Sequence, residues 1–290
     1  MSDARAIEHE LHDVQVNGIT LRVESWGRFT SPDRTVLLVH GITANSQYWV
    51  DFGPVLAEHG WFAIAPDLRG RGRSAKPPHG YGLPFHVDDL LSLCDHFGVP
   101  VVRFVGHSLG ALIGLYLAAV HPARVARLVL VDAGGKLPAD TMQAIGPALA
   151  RLGTLYPSLT AYLDTMLSAP HLTRDAFWER YYRYDAEVQA DGTVLSGVPK
   201  AAIAEEQATM FLIRSDVLPE FVKVPTLIVR ATEGLLGGDR GQILPAAEAE
   251  RLRSLIADSR LLEIPGSNHY TAALTETFAQ SVTGFLAEEP

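Results

Sequence analysis

Val101-Val102-Arg103-Phe104-Val105-Gly106-His107-Ser108-Leu109-Gly110-Ala111-Leu112-Ile113-Gly114-Leu115 is the stretch that decides how this chain is read. An apolar run, Val101 to Val105, leads into Gly106-His107-Ser108-Leu109-Gly110. A run of small and apolar residues, Ala111 to Ala119, leads out of it. The first run has the character of a buried strand and the second of a buried helix. A serine wedged between them is forced into an unfavourable backbone conformation. Glycine two residues to either side removes the Cβ atoms that would collide where strand and helix meet. Ser108 is therefore expected at the tip of a sheet and the positive end of a helix. There backbone N–H groups face any negative charge that develops.

Outward from this turn the chain alternates strand and helix. Val14 and Val16 alternate with polar residues, Asn17-Gly18 follows, and Ile19, Leu21 and Val23 alternate again. That pattern predicts a hairpin with a type I′ turn. Val36-Leu37-Leu38-Val39 is a short apolar strand that ends in His40-Gly41-Ile42-Thr43. A helix is predicted over Gln47 to His59, with Trp49, Phe52, Val55 and Leu56 on its inner face. Phe62-Ala63-Ile64-Ala65 is the next strand and runs into Asp67-Leu68-Arg69-Gly70-Arg71-Gly72-Arg73-Ser74. A helix from Phe85 to Phe97 precedes the serine turn, and a sixth strand, Leu128-Val129-Leu130-Val131-Asp132, follows it. This alternation implies a parallel sheet with helices on both faces.

From about Gly135 to Arg214 no buried strand is expected. The segment is helical in character, rich in aromatics (Tyr156, Tyr162, Phe177, Trp178, Tyr181, Tyr182, Tyr184), and interrupted by Pro138, Pro147, Pro157, Pro170 and Pro199. Strands resume at Thr226-Leu227-Ile228-Val229 and Leu261-Leu262-Glu263-Ile264. A closing helix is predicted from Ala273 to Leu286.

With 290 residues, 47% apolar and 20% charged, one large domain with an insertion fits better than two domains. A net charge of −9 argues against nucleic acid and anionic membranes as partners. The polar N-terminus, Met1-Ser2-Asp3-Ala4-Arg5, has no leader-like apolar core. Leu109 to Val120 is the longest charge-free apolar run and falls short of the roughly 20 residues that span a bilayer. Cys94 is alone, so no intrachain disulfide forms and a cytoplasmic setting is expected. Neither a metal-ligand spacing nor a nucleotide fingerprint appears, so no cofactor and no metal are expected. The expected partner is a small-molecule carbonyl substrate, and the expected assembly a monomer or homodimer.

The order strand, His-Gly, strand, Asp-x-Arg-Gly-x-Gly-x-Ser, Gly-x-Ser-x-Gly, insertion, strand, Asn-His resembles the α/β-hydrolase superfamily over essentially the whole chain. The resemblance implies an α/β fold with a mostly parallel eight-stranded sheet flanked by helices. It implies a core over residues 1–134 and 216–290 and a helical cap over 135–215, inserted after the sixth strand. It also implies serine chemistry. A serine hydroxyl needs a base, and His269 lies in Pro265-Gly266-Ser267-Asn268-His269-Tyr270, a loop at the sheet's C-terminal edge. His107 and His40 are expected to shape the turn and the neighbouring loop. His9, His12, His59, His79, His86, His96, His121 and His171 have no comparable context.

An acid must hold the imidazole in its tautomer. Most members of the superfamily carry it after the seventh strand, in Gly-x-x-Asp. Here Val229-Arg230-Ala231-Thr232-Glu233-Gly234 places Gly234 at that position. Asp132, at the tip of the sixth strand, is the first candidate. Glu233, one residue off, is the second, and Asp239 is well downstream. The backbone N–H groups of Leu109 and Ile42 are the expected oxyanion donors.

A serine in this turn sets the chain apart from the dehalogenases and epoxide hydrolases of the fold, which use aspartate there. His-Gly-Ile-Thr differs from the triple-glycine loop of one lipase subgroup. The implied activity is carboxylesterase-like: cleavage of a small ester through an acyl-enzyme. Amide or C–C bond cleavage on the same triad is the alternative, and a slow-turnover ligand receptor a third reading.

A narrower likeness is to the amidohydrolase that cleaves acetamidomethylene succinate. It is carried by His40-Gly41-Ile42-Thr43, Asn45-Ser46, Arg214-Ser215-Asp216 and Val229-Arg230. That likeness implies an acid on the sixth strand and a diacid substrate clamped by arginines, for which Arg174, Arg180, Arg183 and Arg214 are the candidates. Arg69, Arg71 and Arg73 are assigned to the glycine-rich turn, with Arg69 structural.

Overall fold

Asn17 and Gly18 both have positive φ, 45° and 79°, as a type I′ turn requires. They join β1 (His9–Val16) to β2 (Ile19–Trp26) as an antiparallel hairpin in the expected register, Val14 opposite Leu21 and Val16 opposite Ile19. The computed structural model describes residues 7–169, 171–213 and 216–289. Arg214 and Ser215 of the narrower likeness, and Pro170 of the insertion, lie outside them. Among the described residues no helix is long and apolar enough to cross a membrane.

The remaining strands are β3 (Thr35–Val39), β4 (Phe62–Pro66), β5 (Val102–His107), β6 (Val125–Val131), β7 (Ala186–Val188), β8 (Val194–Ser196), β9 (Thr226–Ala231) and β10 (Ser259–Ile264). Of the ten strands among the described residues, eight, β1 and β2 included, form one sheet in the order β1-β2-β4-β3-β5-β6-β9-β10. The pairs β1–β2 and β2–β4 are antiparallel and the rest parallel. This is the mostly parallel eight-stranded sheet that the resemblance implied, with the parallel core that the alternation of strands and helices predicted.

The central strands are apolar throughout because both faces are covered. Leu37, Val39, Phe104, Leu128 and Leu130 share one buried cluster with α2 (Leu83–His96), α3 (Leu109–Val120) and α8 (Ala246–Leu255). Val36, Leu38, Val105, Val129 and Val131 point the other way, into a second cluster with α1 (Phe52–Glu58) and α9 (Glu276–Ala287).

Two sequence expectations are corrected. The single helix over 47–59 is broken: a short 3-10 turn covers Ser46–Trp49, and α1 begins only at Phe52. Pro54 is the reason. It lacks an N–H and is tolerated only in a first helical turn, so a helix containing it must start just before it. The segment between β6 and β9 is not purely helical either. Between α4 (Thr141–Ala150), α5 (Leu159–Met166), α6 (Ala176–Asp185) and α7 (Lys200–Leu212) it holds the β7–β8 hairpin, with Val194 and Ser196 buried. Asp191-Gly192 is a turn signal, but strands of three residues are too short to show a period of two. Pro147, expected as an interruption, lies inside α4. The aromatics Tyr162, Trp178, Tyr181 and Tyr182 are buried in the same cluster as Val131 and Phe278.

Glycine lets α3 approach the sheet. A Cβ on Gly110 would lie 2.2 Å from the Val39 carbonyl oxygen, and one on Gly106 would lie 2.2 Å from that of Gly110. Backbone atoms of a buried parallel strand cannot move aside. Gly110→Ala is therefore expected to destabilise the protein by at least about 3 kcal/mol. Chemical denaturation would check this, and a loss under about 1 kcal/mol would contradict the packing described.

Candidate active site

Ser108 links the last residue of β5 to the first of α3, with φ 56° and ψ −117°. A side chain in this region carries strain of about 1–3 kcal/mol, tolerated only where the surroundings impose it. Here they do: the Ser108 N–H donates to the Val131 carbonyl at 3.1 Å, and the two glycines bring α3 against β3. A Cβ on Gly41 would lie 3.1 Å from the Ser108 Cβ, so the loop after β3 passes directly beside the serine. Leu109 opens α3, so its N–H has no acceptor within the helix.

Asp132 directly follows β6, also at positive φ, 51°, which aspartate tolerates better than most residues. Its Oδ1 accepts the Ala231 N–H at 3.0 Å, and its Oδ2 lies 2.8 Å from Nδ1 of His269. A carboxylate only accepts, so Nδ1 of His269 carries the proton and Nε2 presents its lone pair. The turn holding His269 is built on Asn268, which accepts the Tyr270 N–H on its side chain and the Thr271 and Ala272 N–H groups on its carbonyl. His107 closes the arrangement. It precedes Ser108 in the chain, and its Nε2 donates to the carbonyl of His269 at 2.8 Å. Tyr48 stacks on the His107 ring with centroids 4.4 Å apart.

The family model described as alpha/beta hydrolase fold matches residues 34–273. The chain belongs to the α/β-hydrolase fold family. Among full-length relatives, the 2-(acetamidomethylene)succinate hydrolase of Mesorhizobium japonicum is 28% identical over 278 residues, 94% of each chain. A protein of Variovorax paradoxus provisionally named carbamate hydrolase RutD is 29% identical over 254 residues, 87% of this chain and 91% of its own. A crystal structure of E-2-(acetamidomethylene)succinate hydrolase superposes with a TM-score of 0.83 at 24% identity, over 97% of this chain and 100% of that one.

In this α/β-hydrolase the carboxylate beside His269 comes from β6. Glu233 is exposed, and its backbone N–H donates to the Ser267 carbonyl. At 234 the loop folds back so tightly that a Cβ would lie 1.9 Å from the Arg240 carbonyl oxygen. The family's usual acid position is thus closed to any side chain, and Asp239 is exposed further along.

The loop after β3 is held by buried polar groups. His40 donates from Nδ1 to the Gly41 carbonyl at 2.8 Å and accepts the Leu68 N–H on Nε2 at 3.0 Å. The Ala44 N–H also reaches the Gly41 carbonyl, at 3.2 Å. In a trans peptide the N–H points opposite the carbonyl, so these bonds fix the side to which the Ile42 N–H points.

Arg69 makes a bidentate pair with Asp89, which keeps it structural. Arg174, Arg180 and Arg183 bond to Asp164, Asp51 and Glu179, and Arg151 to Asp185. Several residues of the site escape sequence reasoning. His107 as a tether for His269, Arg71 as more than a turn residue, and the pair Arg151–Asp185 carry no local signal. His171 has none either, yet its carbonyl accepts from Asn268 at 3.0 Å and its ring stacks on Tyr270.

Burial holds His40 neutral, its pKa pushed down from the usual 6.5 to about 3, and pushes His107 well below its ordinary value. Both titrate near 6.5 when unfolded. Below that pH the unfolded chain binds protons that the native state refuses, so stability must fall as pH drops from 6.5 toward 3. Urea midpoints measured from pH 7 to pH 4 should decline, and His40→Asn should make the decline shallower by up to about one proton. A flat profile in the native sequence would contradict this.

Proposed function

We propose that the protein is a serine hydrolase that transfers the acyl group of a small carbonyl substrate to water. The observation that carries this reading is the Asp132–His269 hydrogen bond of 2.8 Å, at the tip of β6, the strand beside the β5 that leads into Ser108. Ser108 Oγ attacks the carbonyl carbon while Nε2 of His269 takes its proton. Asp132 orients the ring and balances the charge that forms on it. The tetrahedral oxyanion faces the N–H groups of Ile42 and Leu109. Collapse passes the proton from His269 to the leaving group and leaves Ser108 acylated. Water, deprotonated by the same histidine, then releases the acid and restores the serine.

The segment 135–215 acts in this reading as a cap over the site, its buried aromatics seating it on the core. A small carboxylic ester is the leading substrate class. An acyl–nitrogen bond is the second, favoured by the full-length likeness to 2-(acetamidomethylene)succinate hydrolase. Of the arginines that could clamp a diacid, Arg174, Arg180 and Arg183 each already face a carboxylate of the protein, while Arg214 lies outside the described residues.

Ser108→Ala should lower p-nitrophenyl acetate hydrolysis at least about 1000-fold while the circular dichroism spectrum stays unchanged. Undiminished hydrolysis would overturn the reading. A parallel panel of short esters and N-acyl enamides decides between the two bond classes by kcat/KM. Asp132→Asn should cost roughly 1000- to 10,000-fold in kcat. Glu233→Gln should cost less than about twofold, and the opposite ranking would move the acid to Glu233.

A further inference from the structure

Arg71 is a fully buried arginine in the loop after β4, and its guanidinium joins two parts of the molecule that the sequence keeps far apart. Its Nε donates to the Ile42 carbonyl at 3.0 Å, and one terminal nitrogen donates to the Arg69 carbonyl at 2.8 Å. The other reaches Oε2 of Glu206, on α7, at 2.8 Å. The same carboxylate oxygen also accepts from Nε2 of His86 on α2, at 2.8 Å. Glu206 is as fully buried as Arg71. Burial raises the Glu206 carboxyl, but His86 and Arg71 beside it prevail and hold it down at about 2. The buried cation of Arg71 is therefore neutralised by an anion that belongs to the inserted segment.

This pair bears on the peptide planes around Ile42. His40 and the Ala44 N–H hold the carbonyl of the plane before Ile42, and Arg71 holds that of the plane after it. The Ile42 N–H lies in the first of these planes, and the two planes are joined only through the two soft dihedrals of Ile42, so Arg71 on the second keeps the first from swinging away with the loop. One residue further, Arg151 donates to the Thr43 carbonyl at 3.0 Å, and its own charge is met by Asp185. Consecutive carbonyls of one loop are thus held by two arginines whose counter-charges both lie between β6 and β9.

We propose that Arg71 is a positioning residue for the oxyanion-binding loop, completing the hold on the peptides around Ile42, and so on its N–H, only while Glu206 of α7 is seated beside it. The inference rests on the reading above in which that N–H meets the oxyanion. Removing one partner from such a pair leaves a buried charge unmet. When α7 departs, Arg71 must turn toward water or toward another acceptor, and the Ile42 carbonyl is released. Docking of the cap and assembly of the oxyanion site are then one event.

The test compares Arg71→Lys and Glu206→Gln with Asp89→Asn, which weakens a nearly as buried ion pair, that with Arg69, whose side chains make no bond to the Ile42 loop. Kinetics with p-nitrophenyl acetate, the rate at which a fluorophosphonate labels Ser108 with loss of fluoride, and melting temperatures are measured for each. A misaimed donor affects the transition state more than substrate binding. Arg71→Lys and Glu206→Gln should therefore lower kcat and the labelling rate roughly 10- to 100-fold, with KM within about twofold. Asp89→Asn should lower the melting temperature at least as much yet leave kcat within about twofold. The proposal is overturned if the two variants lose no more turnover than Asp89→Asn. Should Arg71→Lys fail to fold, the nearly isosteric Glu206→Gln decides alone, and full kcat there overturns the proposal equally. Ser108→Ala separates the two levels. If that variant remains active, the serine-hydrolase reading fails. If it is inactive while Arg71→Lys keeps full kcat and labelling rate, only the present inference fails.

Discussion

A serine held at φ 56° between a strand and a helix is the constraint on which the rest of the molecule depends. Left-handed backbone is costly for any residue with a side chain. The cost is met by packing of α3 onto the sheet, and that packing is possible only because Gly106 and Gly110 let backbone touch backbone. The same close approach brings Gly41, and with it the loop of Ile42, alongside the Ser108 side chain. Two turns that belong to different parts of the chain are thereby brought side by side.

Strand order does the next part of the work. β6 lies between β5 and β9, so the residue just beyond its tip is a near neighbour of Ser108 in space. The Ser108 N–H bonds to the last residue of β6, and Asp132 is the residue after that. A carboxylate here reaches the His269 ring. The usual position after β9 has been lost to a fold-back of the loop at Gly234. The same histidine can be served from either strand because both tips border the loop that carries it.

Buried ion pairs mark the contact between the core and the segment between β6 and β9. Arg71–Glu206 joins the two, and Arg151–Asp185 reaches from the insertion to the Thr43 carbonyl. Pairs of this kind gain little net stability once desolvation is counted, but breaking one leaves an uncompensated buried charge. They therefore act on geometry more than on stability. An apolar contact would let the insertion slide, whereas a guanidinium bonded to a defined carbonyl admits few arrangements.

Local rules settle much of this protein before any coordinates. Asn17-Gly18 dictates a turn, continuous apolar runs dictate buried strands, and two glycines around Ser108 dictate a strand-to-helix bend. Each of those outcomes depends on residues close together in the chain. Pro54 also acts locally, delaying the start of α1 against an apolar period that would begin it earlier, and the β7–β8 hairpin is too short to announce itself. The choice between Asp132 and Glu233 is of another kind. It turns on how far a loop folds back at Gly234 and on which strands are neighbours, and neither is written in a stretch of sequence. The same holds for Arg71, His86 and Glu206, which are separated by up to 135 positions yet share one carboxylate oxygen. Backbone preference and periodicity act over a few residues and can be read directly. Charge pairing inside a closed core depends on which surfaces are pressed together, and that is known only once the chain has folded.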